Sequence, residues 1–364
     1  MDIQDPALAR LIERVVHSRD HRQPVEIRGG GTKSFYGELP IGEPLDVTGL
    51  AGISSYEPTE LVVTVRAGTP LAELEAVLAQ HGQCLPFEPP RFSVGGTVGG
   101  MVAAGLSGPS RANAGSVRDH VLGVTLLNGR GEILTFGGQV AKNVAGYDVS
   151  RLLAGSLGIL GIICEVSLKV LPVSRSVATL SFDCDERHAL AQLNRWASQP
   201  LAITGSSWHE GRLHVRLGGA SAAVSAACNK LGGAALDPDA AAAWWLSLRD
   251  QSDDFFALDA SALSRGECLW RLSVPASTAP SQLPGRQLIE WNGAQRWWRT
   301  TADSDTVRSA AGEVGGHATL VRTLDKSAGA FAPVSEALMR IHRGLKQAFD
   351  PQHIFNRGRL YAEL

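Results

Sequence analysis

Apolar residues in the first part of the chain fall into short β-branched runs that stop at glycines, a pattern typical of strands. Residues 25–28 and 61–65 both have this form. After the second run, Thr69 can cap a helix in which leucines recur at helical spacing from Leu71 to Leu78, until Gly82 stops it. The pattern therefore predicts alternating strands and helices in this part of the chain.

Further along, two apolar runs between residues 121 and 136 flank Asn128-Gly129, a dipeptide that favours a tight hairpin turn. Strand-like residues continue from 162 to 171. In the middle of the chain, strand-like segments such as 268–274 alternate with alanine-rich helical stretches such as 220–231. These segments predict a mixed layer of helices and strands.

The last apolar pattern has helical spacing and predicts a C-terminal amphipathic helix. The sequence Asp350-Pro351 ends this helix, because the residue before a proline is disfavoured in the helical conformation. We expect the helix to bury the face that carries Val334, Leu338, Ile341, Leu345 and Phe349.

Tryptophan and glycine are distributed unevenly along the 364 residues. All eight tryptophans lie between residues 196 and 298, whereas 25 of the 40 glycines precede residue 162. We place a domain boundary after the apolar run 168–172, which ends in proline. The predicted organisation is a first domain, a second domain and a tail that returns to the first, with bounds 1–172, 173–330 and 331–364.

Charge and cysteine content exclude several classes of protein. A net charge of −2 provides no general attraction for nucleic acid. The five cysteines lie at least twenty residues apart, so we expect neither a disulfide framework nor a metal or iron-sulfur site on this chain. The N-terminus has no secretory pattern and no apolar stretch is long enough to span a membrane, so a cytoplasmic location is expected.

Two glycine-rich segments are candidates for holding a phosphate group. Arg28-Gly29-Gly30-Gly31-Thr32-Lys33 follows a predicted strand, and 93–104 reads Ser-Val-Gly-Gly-Thr-Val-Gly-Gly-Met-Val-Ala-Ala. Glycines let successive N–H groups point into one concavity, although a flexible turn or a closely packed helix would use the same residues. The chain contains neither Gly-x-Gly-x-x-Gly nor Gly-Lys, so Rossmann and P-loop sites are excluded.

Further motifs follow the two glycine-rich segments along the chain. In their order and spacing, all these motifs together resemble the flavoprotein family whose FAD-binding domain is shared by vanillyl-alcohol oxidase and p-cresol methylhydroxylase. The matching segments after the two glycine segments are 116–123, 142–148, 155–161 and 349–358. The resemblance implies an α+β fold, with a two-subdomain FAD-binding domain of the p-cresol methylhydroxylase type over 1–172 and a reduced α+β cap domain over 173–330. The C-terminal helix and tail, 331–364, would return to the FAD-binding domain.

The resemblance also implies which residues contact the cofactor. Thr32 stands where many relatives carry a histidine that bonds covalently to the flavin, so noncovalent FAD is expected. The implied FAD-binding residues are Arg28, Gly29, Gly30, Gly31, Thr32, Lys33, Gly96, Thr97, Gly99, Gly100, Ser107, Gly108, Arg111, Gly115, Arg118, Gly158, Gly161, Ile162 and Asn356.

Within that family the chain is similar to the FAD-binding subunits of bacterial glycolate oxidase, which work with a second flavin subunit and an iron-sulfur subunit. The resemblance implies oxidation of a 2-hydroxy acid to a 2-oxo acid within such a complex, which could lie at the inner face of a membrane through its partners. Two alternatives stay open. One is a self-sufficient FAD-dependent dehydrogenase, and the other is a non-catalytic scaffold subunit.

Candidate catalytic residues are few. Relatives that oxidise 2-hydroxy acids by themselves carry a histidine-rich metal-binding segment, and its counterpart here, 314–322, has one histidine. His317 and Arg322 are therefore the only pair considered for proton transfer and carboxylate binding. The tryptophans form either the core of the middle region or a face that binds a partner, and the segment Arg296-Trp297-Trp298-Arg299 has the composition of such a face.

Overall fold

Two large antiparallel sheets, formed by consecutive parts of the chain, organise the protein. The computed structural model describes residues 5–138 and 148–364. The first sheet has five strands in the order β3-β4-β8-β6-β7. Its strands are Ile53–Glu57 (β3), Val62–Arg66 (β4), Val121–Leu127 (β6), Ile133–Gly137 (β7) and Ile162–Lys169 (β8).

Short helices and two small strand pairs surround this sheet. A parallel pair, Val25–Arg28 (β1) and Glu43–Asp46 (β2), follows the first helix, Pro6–His21 (α1). A second pair joins Gln83–Cys84 (β5) to Leu171–Pro172 (β9). The remaining helices of this part are Leu71–Gln80 (α2), Val98–Ala104 (α3), Arg111–Ala114 (α4), Val117–His120 (α5) and Val149–Leu152 (α6).

The second sheet has eight strands in the order β13-β10-β12-β11-β15-β16-β14-β17. Its strands are Ser176–Asp183 (β10), Ile203–His209 (β11), Arg212–Gly219 (β12), Ala234–Ala235 (β13), Cys268–Ser273 (β14), Arg286–Glu290 (β15), Gln295–Thr300 (β16) and His317–Arg322 (β17). The accompanying helices are Glu186–Ala197 (α7), Ser221–Leu231 (α8), Pro238–Asp250 (α9), Ala260–Ser264 (α10) and Ser304–Gly312 (α11). Three short 3-10 helices are Pro58–Glu60, Asp254–Phe256 and Trp291–Gly293.

Separate apolar cores fill the two faces of each sheet. On the first sheet, Leu71, Leu74 and Leu78 of α2 pack with Val65 and Val166, as their helical spacing predicts. A mixed cluster joins the two parts of the chain, because buried residues of the second sheet pack against residues from the first part. Its members include Tyr36, Leu106, Leu157, Leu269, Trp297 and Val321. The change of sheet falls between β9 and β10, where the sequence predicts a domain boundary.

The strand and helix predictions of the first part are confirmed, but two local details are wrong. Helix α2 has no side-chain cap, because the hydroxyl of Thr69 accepts a hydrogen bond from Gly52 N at 2.9 Å instead. The predicted hairpin joins β6 and β7 through a five-residue loop rather than a two-residue turn. The side chain of Asn128 closes that loop by accepting hydrogen bonds from the N–H groups of Arg130 and Glu132.

The C-terminal helix, Glu336–Phe349 (α12), forms as predicted but is turned about its axis. Leu338 and Ile341, expected to be buried, are 50% and 59% exposed. The buried positions are Met339 and Lys346. The predicted face is therefore wrong in part, because a lysine that sequence reasoning treats as polar takes a core position.

Candidate functional site

A pocket that is open to solvent, with about 840 Å³ of empty space, lies where β1 ends. The loop after β1, the start of α3, the loop before β8 and the C-terminal tail form its walls. Twelve residues implied by the sequence analysis line it: Arg28, Gly29, Gly30, Gly31, Thr32, Lys33, Thr97, Gly99, Gly100, Gly158, Gly161 and Asn356.

The two glycine-rich segments touch each other at backbone level. A Cβ atom on Gly30 would lie 1.7 Å from the carbonyl oxygen of Gly95, and one on Gly29 would lie 2.5 Å from the hydroxyl of Thr97. Neither position has room for a side chain. The glycines are required because two stretches of backbone meet here, which excludes the flexible-turn interpretation for Gly30.

Free backbone donors line the floor of the pocket. Within residues 5–138 and 148–364, the N–H groups of Gly29, Gly30, Gly31 and Thr32 donate no hydrogen bond to the protein. Gly31 adopts a φ of 68°, which residues with a side chain rarely adopt. Consecutive unpaired N–H groups of this kind bind anionic oxygens.

Two cationic side chains add positive charge at the same place. Burial lowers the pKa of Lys33 to about 8, and its ammonium lies 3.4 Å from the hydroxyl of Thr32. Arg359 donates to the carbonyl oxygen of Lys33 at 3.1 Å. Burial lowers the pKa of Arg359, while Glu26 and Glu38 act in the opposite direction. A bound anion would compensate the buried charge of Lys33.

Asn356 connects the tail to the pocket. Its side-chain oxygen accepts a hydrogen bond from Ile27 N at 2.7 Å, and its amide nitrogen donates to the carbonyl oxygen of Leu157 at 2.6 Å. A Cβ atom on Gly158 would lie 2.6 Å from that amide nitrogen. The asparagine therefore fixes β1 and the loop before β8 relative to each other.

Several lining residues escaped the sequence analysis. Ile163, rather than Ile162, faces the pocket, because side chains alternate along β8 and that of Ile162 is buried in the core beside α1. Arg359 was missed although it follows the tail motif by one residue. The other lining residues outside the implied set are Glu26, Ile27, Ser34, Val47, Ala67, Ala103, Ala104 and Leu157. The last three lie within the segments 93–104 and 155–161 that the sequence analysis singles out.

The remaining implied cofactor residues lie outside the pocket walls. They are Gly96, Ser107, Gly108, Arg111, Gly115, Arg118 and Ile162. A Cβ atom on Gly96 would lie 3.3 Å from the hydroxyl of Thr32, which places that glycine just behind the wall. The carbonyl oxygen of Gly108 accepts a hydrogen bond from the indole of Trp291 at 2.9 Å, so this segment contacts the second sheet. Of the motif 142–148, residues 142–147 lie outside the described residues.

His317 and Arg322 lie at opposite ends of one strand. They are the first and last residues of β17, and five strand residues span about 16 Å. Their joint role in proton transfer and carboxylate binding stays a prediction.

Seven of the eight tryptophans are buried, and Trp244 is partly exposed. Trp297, Trp298 and Arg296 are 4%, 2% and 1% exposed. Trp297 donates to Glu290 at 2.7 Å, and Arg296 donates to the carbonyl oxygen of Ala279 at 2.8 Å. The partner-face interpretation of this segment is wrong, because its side chains are already covered within the chain.

Comparison with known proteins assigns the chain to a family. The family described as "FAD binding domain" matches residues 8–137. "Glycolate oxidase subunit GlcE" of Escherichia coli (strain K12) is 44% identical over 354 residues, which cover 97% of each chain. The chain belongs to the family of the glycolate oxidase subunit GlcE. It is therefore an FAD-binding flavoprotein and a member of an oxidoreductase family.

More distant relatives match part of this chain. "Glycolate oxidase subunit GlcD" of Bacillus subtilis (strain 168) is 32% identical over 163 residues, 44% of this chain and 34% of its own length. "D-lactate dehydrogenase" of Anaerostipes hadrus is 34% identical over 164 residues, which cover 44% of this chain and 34% of its own length. Homology to these proteins supports FAD-dependent oxidation of a hydroxy acid.

A solved structure shares the fold of this chain. An alkyldihydroxyacetonephosphate synthase structure has a TM-score of 0.64 at 14% identity, covering 96% of this chain and 75% of that chain. The likeness confirms the predicted α+β architecture. In the described part of the chain, no helix is both long and apolar enough to cross a membrane.

The residues of the pocket fit FAD. Its pyrophosphate group carries anionic oxygens, which match the unpaired N–H groups of Gly29 to Thr32 and the buried ammonium of Lys33. Apolar walls from Val47, Ala103 and Ile163 suit the flat rings of the cofactor.

Proposed function

We propose that the chain is the FAD-binding subunit of a glycolate oxidase type complex that oxidises a 2-hydroxy acid to a 2-oxo acid. When bound, FAD supplies the acceptor for the hydride that leaves the substrate carbon. The hydroxyl proton leaves to a base, and the electrons then pass to an iron-sulfur subunit. The identity of 44% to a glycolate oxidase subunit over 97% of each chain, together with the glycine pocket, carries this proposal.

The chain holds FAD without a covalent bond in this proposal. Thr32 occupies the loop position at which many relatives carry the histidine that bonds covalently to the flavin. The N–H groups of residues 29–32, Lys33 and Asn356 orient the cofactor, and the apolar wall excludes water from it. The FAD-binding part extends over 1–172, the cap over 173–330 and the returning tail over 331–364.

Other subunits receive the electrons. The five cysteines lie at least twenty residues apart in the sequence, so the proposal assigns the iron-sulfur centre and a second flavin to partners. The complex then works in the cytoplasm, with any contact to the inner face of the membrane made through those partners.

Two spectra test the proposal. First, the purified chain is loaded with FAD and precipitated with acid, and the flavin absorbance of the supernatant is measured. Flavin in the supernatant is expected, and flavin retained in the pellet would contradict noncovalent binding. Second, glycolate is added without oxygen to the chain alone and to the complex isolated from its source. We expect bleaching in the complex only.

The other outcomes select the alternatives. Bleaching of the isolated chain would replace the proposal with a self-sufficient dehydrogenase. A chain that takes up no FAD, or whose flavin cannot be reduced in the complex, would be a scaffold subunit.

A further inference from the structure

Three arginines, Arg111, Arg271 and Arg322, lie between the second sheet and the first part of the chain; we call them the arginine layer. Arg271 of β14 pairs with Thr319 of β17, and Arg322 ends the same strand opposite Leu269. Leu269 and Val321 on this face pack against Tyr36 and Leu157 from the FAD-binding part. The sheet therefore turns Arg271 and Arg322 toward the cofactor-binding part, where Arg111 begins α4.

Aromatic side chains next to the glycine loop hold two of the arginines. Arg271 donates to the hydroxyl of Tyr36 at 3.1 Å, and the guanidinium of Arg322 lies 4.4 Å from the ring centre of Phe35. Phe35 packs on Phe92 at 5.0 Å between ring centres, and the ammonium of Lys33 lies 5.8 Å from the Phe92 ring centre. This chain of contacts places the arginine layer beside the pocket proposed for FAD.

The arginine layer lacks the carboxylates that neutralise neighbouring arginines. On the same sheet Arg216 pairs with Glu88 at 2.8 Å, and Arg299 pairs with Glu267 at 2.8 Å. Among the described residues, no ion pair involves any member of the arginine layer. Asp119 acts on Arg111 only at longer range, and the buried Nε of Arg322 has no hydrogen-bond partner in the described part of the chain.

The charges act on one another. The positive charge of Arg271 lowers the pKa of His317 and of Arg111, in both cases after the larger effect of burial. Arg271 and Arg322 are half-buried, Arg111 is exposed, and Arg271 repels Arg111. Buried guanidinium groups without an acid are costly, and an anion beside them would offset that cost. Guanidinium groups bind carboxylates through two parallel hydrogen bonds, which suits a planar acid.

We propose that the arginine layer binds the carboxylate group of a small organic acid, with Arg271 as the central donor and Tyr36 fixing its orientation. The identity of that acid rests on the proposed function: it is the 2-hydroxy acid substrate or its 2-oxo product. The proposed site therefore places substrate binding on this subunit. Arg322 and Arg111 flank the acid, and His317 lies outside the carboxylate contacts at the far end of β17.

Calorimetric titration with oxalate tests the site without relying on turnover. Oxalate is planar, carries carboxylates and cannot be oxidised by loss of a hydride. The full chain is titrated with and without FAD, and FAD binding is measured separately by quenching of flavin fluorescence. The variants are R271M, R271K and Y36F. R286M is the matched control, because Arg286 lies on the same sheet but is exposed and pairs with Glu210.

We expect oxalate to bind the native chain and R286M equally. Binding should be about tenfold to hundredfold weaker in R271M, because charge-assisted hydrogen bonds are lost. R271K and Y36F should lose less oxalate affinity than R271M. If R271M does not fold, these two variants still test the contact between Arg271 and Tyr36. All variants should keep their FAD affinity.

Three results would overturn the site. The first is native oxalate affinity in R271M, and the second is equally tight binding of sulfate, which would show a general anion site. The third is loss of oxalate binding in R286M. Failure of the chain to bind FAD would instead refute the proposed function. Oxalate binding to the FAD-free chain would then still test the arginine layer.

Discussion

The ammonium group of Lys346 lies 2.8 Å from Oδ2 of Asp350, and both side chains are completely buried. The same ammonium donates to the carbonyl oxygens of Ile159 and Phe355, each at 2.8 Å. Ile159 follows the pocket residue Gly158, and Phe355 precedes Asn356. The ion pair therefore ties the C-terminal helix to both segments that form one end of the FAD pocket.

Removing one partner of this pair should destabilise the protein and weaken FAD binding together. K346M leaves the carboxylate of Asp350 buried without its cation, at a cost of about 3–5 kcal/mol. Urea unfolding measures the loss of stability, and flavin fluorescence measures FAD affinity. K230M, at an exposed lysine of α8, is the control and should change neither. A K346M chain with native stability would show that the pair contributes nothing.

A single methyl group at Gly30 should abolish retention of FAD. The added Cβ would lie 1.7 Å from the carbonyl oxygen of Gly95, so the two glycine segments must separate. G30A should bind FAD at least tenfold more weakly, a change of about 1.4 kcal/mol or more. G344A is the control, because a Cβ on Gly344 meets nothing within 4 Å. Equal FAD content after gel filtration of both variants would contradict the close contact.

The sequence predicts elements and motifs better than it predicts contacts. The β1 strand, α2 and the glycine segments follow from local patterns and are present. The face of α12 was misjudged because helical spacing treats Lys346 as a surface residue, whereas Asp350 and two carbonyl oxygens satisfy its ammonium inside the core. A pattern along one segment carries no information about such distant partners.

The same limit applies to the site. Motif segments bring most pocket residues together, but no local pattern distinguishes Ile163 from Ile162, because that depends on which face of β8 meets the pocket. The sequence motif likewise does not show how far His317 lies from Arg322, because that depends on the extended conformation of β17, whose ends these residues form.

FAD affinity should fall as the pH rises above about 8. Burial lowers the pKa of Lys33 to about 8, so the FAD-free chain loses this positive charge at higher pH. FAD favours the protonated form, and each unit of pH above the pKa should weaken binding by up to about tenfold. Titrations with FAD from pH 6.5 to 9.5 measure this.

Two variants separate Lys33 from other causes of that pH dependence. K33R keeps its charge throughout this range and should bind FAD with little change up to pH 9.5. K33M should bind weakly at every pH, with no decline near pH 8. A decline in K33M as steep as in the native chain would assign the effect to another group.

Glu290 should make the protein less stable as the pH rises from about 5 to 8. Its side chain is buried between Trp297 and Gln295, whose N–H groups donate to Oε2 at 2.7 and 3.0 Å. Burial raises the pKa of Glu290 to about 7 despite these bonds. Between its ordinary pKa and 7, the folded protein holds a proton that the unfolded chain has released, so stability falls across that interval.

The variant E290Q should remove this dependence. Its amide oxygen can still accept from Trp297, but it carries no charge at any pH. We expect E290Q to match the native chain at pH 5 and to exceed its stability at pH 8 by about 2 kcal/mol, measured by urea unfolding at each pH. E313Q, at an exposed glutamate, serves as the control and should follow the native curve. Because FAD would alter stability on its own, the comparison uses FAD-free protein. Parallel curves of unfolding free energy against pH for E290Q and the native chain would show that Glu290 stays ionised in the folded protein.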